Sequence, residues 1–449
     1  MAGFVPCREV YGRQKRLACI ESQPIVFKAQ PKVIMKNMPG GKAKVLAVIA
    51  AAVVVLSAAL LYGQHGTAKP AIKIGVLHSL SGTMAVSETP LVDAIRLAVE
   101  EANRSGGVDG AQIEMVVADC RSDAAHCAQQ AEKLITQDGV QALFGCWTSA
   151  CRKAVKTVVE KHHHLLFYPL QYEGLEQSPD IIYMGAAPNQ QIIPMALWAA
   201  QQKGKRFYLI GSDYIFPRTA NLMVKDVLHA QGGQLMGERY LPLGASDMAA
   251  VVKEIAAQRP DFVLNTLNGD SNLHFFRALH KAGIGAEKVP VFSTSVGEVE
   301  LAAMGADLMT GHYAAWNYFQ SLASAENRAF VERFKQRFGR ERVLDDPMEA
   351  SYIGVQLWVE AVRGHGSTDL ALVKTTLAQQ TLLAPEGIVA VDYDTRHLWK
   401  KAYIGKARAD GQFDIVWQSA RAIHPAPFPF YRSHVEWMTA QQSLLGAQP

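Results

Sequence analysis

Hydroxyl, amide and aromatic side chains recur directly after apolar runs of this chain, in short stretches that hold few formal charges. Each polar atom of a buried ligand needs its own hydrogen-bond partner, and these groups both donate and accept. Their types therefore predict a site for a small neutral polar ligand. The candidate ligand-binding residues are Ser81, Trp147, Thr148, Ser149, Tyr168, Gln171, Tyr172, Tyr214 and Asp270.

Charged residues near these stretches leave two interpretations open. Asp213, Glu173 and Asp270 either accept N–H bonds from a ligand or stabilise a turn or a helix start. Ser149 opens a predicted helix, so its hydroxyl either caps that helix or binds the ligand. Arg152 is a candidate partner for a carboxylate ligand, but we expect it on a solvated helix face.

Cysteine and histidine residues raise the alternatives of catalysis and metal binding. A hydrolytic enzyme would use Cys146 or Cys151 as its nucleophile with a neighbouring base, yet the spacing places no base beside either residue. Cysteine at the end of a buried strand is more often a small core residue. The three consecutive histidines at 162–164 point in divergent directions, and no CxxC or HxxxH spacing occurs. We therefore predict no catalytic residue, no metal site and no cofactor.

Four cysteines lie beyond the N-terminal region and can form disulfides if the chain is exported. Cys120 and Cys127 flank a predicted strand-to-helix turn and are a possible disulfide that closes a short loop. Cys146 and Cys151 either pair or remain buried thiols. Four cysteines allow three pairings, and the sequence does not choose among them.

The N-terminal region differs in charge from the rest of the 449-residue chain. Residues 1–44 form a basic leader with nine Lys or Arg and two Glu. Residues 45–62 are an uncharged apolar run, close to the shortest that crosses a bilayer. Lys42 and Lys44 precede this run, and the next basic residue is Lys69, so the positive-inside rule predicts that the following residues are exported.

Export predicts a periplasmic protein or one anchored to the outer face of the inner membrane. Residues 45–62 are then either a cleaved signal peptide or an uncleaved anchor, followed by a linker at 63–71. The basic excess belongs to the leader and not to the remaining chain, which predicts no nucleic-acid partner.

Beyond residue 71 the chain alternates between short apolar runs and amphipathic stretches, and this alternation predicts parallel sheets with helices on both faces, in two α/β lobes. Pro90 suits the first turn of its helix. The predicted strands are 72–79, 113–120, 140–146, 164–169, 206–213, 234–244, 261–269 and 289–295, with a β-rich end at 388–415. The predicted helices are 90–103, 124–137, 149–161, 189–202, 220–231, 248–258, 271–282 and 347–365.

Several long motifs resemble a known family. They include GCWTSACRKAV (145–155), LLFYPLQYEGLEQSPDI (165–181), GSDYIFPRTAN (211–221) and DDPMEASYIGV (345–355). These segments resemble the urea-binding components of ATP-binding-cassette importers and, more distantly, the amide-sensing binding protein of bacterial amidase operons.

The resemblance implies a type I periplasmic binding fold, with the ligand held between two lobes joined by a three-crossing hinge. We expect lobe 1 at 72–187 with 319–395 and lobe 2 at 188–318 with 396–428. We expect a C-terminal tail at 429–449.

The resemblance also implies ligand-binding roles for Ser149, Tyr168 and Tyr214. The amide sensor has Thr-Pro after its Tyr-Pro pair, whereas this chain has Leu170 and Gln171, as in the urea-binding branch. The expected function is therefore that of an extracytoplasmic component that captures urea and delivers it to permease and ATPase partners. The alternative is a sensor or receptor for short amides. Neither is an enzyme.

Overall fold

The structure is a computed structural model that describes residues 69–446. The predicted leader at 1–44, the apolar run at 45–62 and most of the predicted linker at 63–71 lie outside the described residues. Within the described range, no helix is both long and apolar enough to cross a membrane.

The first lobe is built on a five-stranded sheet in the order β2-β1-β3-β4-β5, and every neighbouring pair of strands is parallel. Helices α1 and α10 pack on each other beside this sheet, as do α2 and α3. The strands are β1 (Ile72–His78), β2 (Ile113–Asp119), β3 (Leu143–Gly145), β4 (Leu166–Tyr168) and β5 (Ile181–Tyr183). The helices are α1 (Ala85–Arg104), α2 (Ala124–Thr136), α3 (Ser149–Lys161), α9 (Ala325–Phe338), α10 (Asp346–His365) and α11 (Leu370–Leu377).

The second lobe is built on a seven-stranded sheet in the order β15-β14-β10-β9-β8-β6-β7. Its strands are β6 (Arg206–Ser212), β7 (Gln234–Leu241), β8 (Phe262–Thr266), β9 (Val291–Ser293), β10 (Tyr313–Trp316), β14 (Tyr403–Ala407) and β15 (Phe413–Gln418). Its helices are α4 (Ile192–Gln202), α5 (Ile215–Ala230), α6 (Ala249–Gln258), α7 (Ser271–Lys281), α8 (Glu298–Met304) and α12 (His434–Gly446). The prediction of two α/β lobes with parallel sheets flanked by helices is confirmed.

Two strands of the second sheet depart from the predicted parallel pattern. Strand β14 is antiparallel to β10, and β15 is antiparallel to β14. The chain reverses within five residues between β14 and β15, and such a short connection can only join antiparallel strands. A small antiparallel sheet consists of β11 (Thr381–Ala384), β12 (Gly387–Val391) and β13 (Leu398–Trp399). The predicted β-rich end at 388–415 covers most of β12 and all of β13, whereas β11 was not predicted.

Two helices begin five residues earlier than predicted. Helix α1 begins at Ala85, so Pro90 lies in the helix interior and the prediction that it occupies the first turn is wrong. Ser87 and Glu88 are buried in that first turn, and their tertiary contacts outweigh the backbone hydrogen bond that proline cannot donate. Helix α5 begins at Ile215, with Pro217 in its first turn, where a missing N–H costs little.

The chain passes between the lobes three times, as the predicted hinge requires. The crossings follow Tyr183, Trp316 and Trp399, which end β5, β10 and β13. Buried carboxylates hold the second crossing: Asp346 accepts the backbone N–H groups of Asn317 and Tyr318, each at 2.9 Å.

Lys400 joins the first crossing to the third. Its ammonium donates to the Met184 carbonyl at 3.0 Å and lies 3.1 Å from Glu386. Burial alone would lower the pKa of Lys400, but Glu386 and Asp346 raise it. The hinge is therefore a buried polar region, and its other acidic residues are Glu298, Glu300, Asp345 and Glu349.

The hinge predicts a pH-dependent stability. Burial raises the pKa of Glu298 from 4.5 to about 8. Between pH 4.5 and 8 the Glu298 carboxyl is therefore protonated in the folded state and ionised in the unfolded state. The protonated carboxyl contributes fully to the stability of the fold below pH 4.5, and this contribution is lost as the pH rises through 8. We expect Glu298→Gln to become more stable than the parent chain as the pH rises from about 5 to 9, by on the order of 3 kcal/mol.

Guanidinium unfolding at each pH measures this difference. The matched control is Glu326→Gln on α9, because Glu326 is exposed. If the stability difference between Glu298→Gln and the parent chain were as independent of pH as the difference for the control, the role of burial would be contradicted.

Candidate functional site

The candidate site lies where the strands of both sheets end. In parallel α/β sheets the loops after the carboxyl ends of the strands form the usual ligand site. Strands β1, β3 and β4 of the first lobe and β6, β8 and β9 of the second lead into the loops that carry most of the predicted site residues. These loops meet across the lobe interface.

Direct hydrogen bonds join the two lobes at this interface. The Trp147 indole N–H donates to the Asn268 side-chain oxygen at 3.2 Å. The Gln171 amide donates to the Thr294 carbonyl at 2.9 Å and to the Ser295 hydroxyl at 3.0 Å. The lobes are therefore closed on each other, and the predicted site residues Trp147 and Gln171 hold the closed form.

A buried guanidinium organises the first-lobe side of the site. Arg152 is fully buried, donates from Nε to Glu176 at 2.9 Å and from Nη2 to Glu173 at 3.1 Å. The expectation that Arg152 lies on a solvated helix face is wrong. A charge at this position can be buried because two carboxylates from the loop after β4 meet it.

Ser149 belongs to the same network. Its hydroxyl accepts from Arg152 Nη1 at 2.8 Å and donates to Glu173 Oε2 at 2.5 Å. The cap of helix α3 is instead Thr148, whose side chain accepts from the Cys151 N–H at 3.1 Å. Of the two roles considered for Ser149, capping is therefore wrong, and its oriented hydroxyl faces the buried network.

The electrostatics of this network leave it close to neutral. Burial alone would raise the pKa of Glu176, but Arg152 and Lys153 lower it to about 2. Lys153 Nζ lies 3.0 Å from Glu176, so two cations meet the carboxylates of Glu173 and Glu176. The guanidinium charge is thereby compensated within the protein.

Two predicted tyrosines lie beside this network. The buried Tyr168 hydroxyl donates to the Trp147 carbonyl at 2.7 Å, and the Arg152 guanidinium lies 5.0 Å from the centre of its ring. Tyr214 occupies the cap position of α5 in the second lobe. Burial raises the pKa of Tyr214, and Tyr168 and Glu173 of the first lobe raise it further.

Tyr172 also contacts the Arg152 guanidinium, which lies 4.5 Å from the centre of its ring, and it belongs to an aromatic stack inside the first lobe. Its ring stacks on Tyr183 and His397, and its hydroxyl lies 2.6 Å from His397 Nε2. The Tyr172 hydroxyl also donates to the Glu176 backbone carbonyl at 2.9 Å, and the other ring nitrogen of His397 lies 2.7 Å from the Thr395 carbonyl. Burial lowers the pKa of His397 to about 3 and keeps it neutral. Tyr172 therefore packs against the site on the side of the first-lobe core.

Three further predicted residues are not joined to the Arg152 network. Ser81 is exposed and donates to Asp119 at 2.7 Å. Asp270 stands at the cap position of α7 and lines a cavity of about 30 Å³ between the lobes. Asp213 pairs with Arg218 at 2.6 Å, so it stabilises the turn before α5.

Sequence reasoning missed Glu88, which lies on α1 beside the site. Its carboxylate accepts from the Ser79 N–H at 2.9 Å and lies 3.1 Å from His78 Nδ1. An acidic residue near the start of the helix after β1 was the available signal. Glu88 holds the loop that follows β1 against the first turn of α1.

Several buried polar atoms around the interface have no hydrogen-bond partner among the described residues. They include His78 Nε2, Thr83 Oγ1 and Gln171 Oε1. Because a buried polar atom is costly to leave unpaired, this set marks places where a polar molecule can be held. These three atoms belong to side chains that donate or accept hydrogen bonds, whereas the carboxylate oxygens without a partner, such as those of Glu298 and Asp345, lie at the hinge.

The cysteines lie at the same edge of the first sheet. The structure contains disulfides between Cys120 and Cys127 and between Cys146 and Cys151. The second disulfide encloses Trp147, Thr148 and Ser149. It therefore constrains the loop that carries three predicted site residues.

A separate groove of about 970 Å³ lies on the second lobe. It opens where β8, β9 and β10 begin, so it lies at the edge of the sheet opposite the predicted ligand loops. Its polar lining includes Lys203, Arg259, Lys288, Tyr313 and Lys406. None of the predicted site residues lines it, so it is not part of the candidate site.

The Arg152 network predicts a large difference between two adjacent cations. Arg152→Leu leaves Glu173 and Glu176 buried without their shared partner, and removing one member of such a pair costs about 3–5 kcal/mol. Lys153→Leu removes a partly exposed cation and is expected to cost about 1 kcal/mol or less. Guanidinium unfolding at pH 7 compares the two variants, and equal losses would contradict the central position of Arg152.

A family model described as a periplasmic binding protein domain matches residues 72–434. Over 375 residues the chain is 24% identical to a Brucella melitensis protein named Leu/Ile/Val-binding protein homolog 6, covering 82% of this chain and 94% of that protein. A shorter stretch of 124 residues is 39% identical to a Geobacillus stearothermophilus protein named limonene hydroxylase, but it spans 28% of this chain and 23% of that protein.

Solved structures show the same fold. A solute binding protein of an ABC transporter from R. palustris, in complex with 4-hydroxybenzoate, has a TM-score of 0.71 at 24% identity, covering 79% of this chain and 98% of that chain. A branched-chain amino acid transporter substrate binding protein from Streptococcus pneumoniae, in complex with isoleucine, has a TM-score of 0.70 at 19% identity and covers 79% and 100%. With the family model spanning both lobes, this chain belongs to the periplasmic binding protein family.

Proposed function

We propose that this protein is the extracytoplasmic solute-binding component of an ABC importer and that it captures urea between its lobes. The observation that carries the choice of ligand is the compensated charge of Arg152. Isoleucine and 4-hydroxybenzoate, the ligands of two structural relatives, both carry a carboxylate. A free cation is the strongest partner for a carboxylate ligand, whereas Arg152 is already paired with Glu173 and Glu176.

The chemistry of urea matches the groups at the interface. Urea has one carbonyl acceptor and four N–H donors on a flat frame, so it needs several acceptors and at least one donor. Glu173 and Gln171 Oε1 supply acceptors, and the hydroxyls of Ser149 and Tyr214 supply a donor or an acceptor. Trp147 and Tyr168 supply flat walls. Lobe closure then excludes water and strengthens each of these bonds.

Transport requires further partners. We propose that the closed, loaded protein delivers its ligand to permease subunits coupled to ATPase subunits, at the outer face of the inner membrane. Residues 45–62 would tether the protein there if they remain uncleaved. Hinge motion of lobe 1 (72–187 with 319–395) against lobe 2 (188–318 with 396–428) is the expected step for capture and release.

Calorimetric titration of the full chain with urea, acetamide, leucine and 4-hydroxybenzoate tests the ligand class. We expect micromolar or tighter binding of urea and weaker binding of the two carboxylates. Tighter binding of acetamide than of urea would move the protein to the alternative function, a short-amide sensor or receptor. Binding of only leucine or 4-hydroxybenzoate would contradict the neutral-ligand proposal.

Hydroxyl deletions test the site. We expect Ser149→Ala and Tyr214→Phe each to weaken urea binding by about 1–3 kcal/mol, because each removes a hydroxyl that we propose contacts the ligand. Tyr168→Phe keeps the flat wall and removes only the bond to the Trp147 carbonyl, so it should weaken binding less. The matched controls are Ser443→Ala and Tyr393→Phe, whose side chains are exposed away from the interface. Site variants that bind urea as tightly as these controls would show that the ligand is held elsewhere.

A further inference from the structure

The four cysteines of the described chain converge on one point of the first lobe. Cys120 and Cys146 directly follow β2 and β3, while Cys127 and Cys151 lie in the first turns of α2 and α3. Since β1 lies between β2 and β3 and pairs with both, these strand ends and helix starts meet at the carboxyl edge of one sheet. All four residues are buried.

The sulfur atoms of the two disulfides form one compact group. Cys127 Sγ lies 3.2 Å from Cys151 Sγ, so the two disulfides touch. The sulfur atoms of Cys120, Cys127 and Cys151 all lie within 4.8 Å of one another, and Cys146 is bonded to Cys151. Four sulfur atoms within such a volume are the donor set that soft and borderline metal ions prefer.

The surrounding helices favour negative charge at this point. Cys127 is the fourth residue of α2 and Cys151 the third residue of α3, and each of these helices has 13 residues. The N-terminal ends of helices carry partial positive charge and stabilise cysteine thiolates. Two helix N-termini thus converge on the sulfur group.

We propose that the reduced chain binds one Zn²⁺ ion through Cys120, Cys127, Cys146 and Cys151. A tetrahedral zinc site with bonds of about 2.3 Å places its sulfur atoms roughly 3.8 Å apart. Cys127 Sγ and Cys151 Sγ lie 3.2 Å apart, so a small outward shift of the two atoms reaches that spacing. Side-chain rotation separates the bonded pairs once the disulfides are reduced.

The change between the two states balances. A dithiol reductant gives each disulfide two electrons and two protons and becomes a disulfide itself, leaving four thiols. Zn²⁺ then replaces four protons, which leave to solvent, and a tetrathiolate site with a net charge of −2 remains. The helix N-termini offset part of this charge.

The ion would hold the same segments that the disulfides hold in the oxidised chain. Cys146 and Cys151 bracket Trp147, Thr148 and Ser149, and Cys120 and Cys127 bracket the turn before α2. The loop of the candidate site therefore keeps its two anchors in both states. The zinc site itself does not depend on the identity of the ligand bound between the lobes.

Titration of the reduced full chain with Co²⁺ tests the proposal. The parent is the Cys7→Ser/Cys19→Ser chain, so that the four remaining cysteines supply every thiol. We expect one Co²⁺ per chain with intense thiolate-to-cobalt charge-transfer absorption and visible bands of tetrahedral cobalt, and one Zn²⁺ should abolish both. The oxidised parent should show neither.

Cys127→Ser in the same parent removes one sulfur ligand. We expect its affinity for Co²⁺ to fall by more than about 100-fold, since the loss of an outer-shell partner alone costs about 10- to 100-fold. If reduction unfolds the chain, recovery of the far-ultraviolet circular dichroism on adding Zn²⁺ replaces the absorption readout. Four titratable thiols without charge-transfer absorption or recovery of folding, or unchanged affinity in Cys127→Ser, would overturn the proposal.

Discussion

The buried ion cluster around Arg152 is the constraint on which the candidate site depends. Burial of a guanidinium away from water is strongly unfavourable unless carboxylates balance its charge and acceptors pair with its N–H groups. Glu173 and Glu176 provide that match, and both come from the loop that joins β4 to β5. Helix α3 is thereby fixed to this loop, and the Ser149 hydroxyl takes one orientation between Arg152 and Glu173. The same contacts that fix the geometry also remove free charge from the site.

The loop that carries Glu173 is in turn held from the far end of the chain. Gly174 and Leu175 adopt left-handed backbone conformations, and a side chain on Gly174 would collide with the Pro427 carbonyl. Leu175 donates its N–H to that carbonyl at 2.9 Å and packs with the fully buried Trp437. The predicted tail at 429–449 therefore contributes to the support of the site, because α12 anchors a first-lobe loop beside the second lobe.

Local patterns predicted much of the fold. Helix α3 has the predicted limits, and β1 and β2 each end within one residue of the prediction, because apolar periodicity and strand-to-helix turns are local signals. The burial of Arg152 could not be read in this way, since its partners lie 21 and 24 residues further along the chain. Glu88 had a local signal, its place near the start of α1, but its role depends on the fold that brings it to Ser79 and His78. The antiparallel direction of β14 depends on its pairing with β10, which lies far earlier in the chain.

The most direct test of a neutral-solute site is a crystal structure of the protein grown with urea. We expect one urea molecule between the lobes, within about 3.2 Å of the Ser149 hydroxyl, the Tyr214 hydroxyl and the Glu173 carboxylate. The Arg152 contacts to Glu173 and Glu176 should remain intact. A cleft that instead holds a carboxylate against Arg152, with Glu173 turned away, would contradict the claim that Arg152 is already paired within the protein.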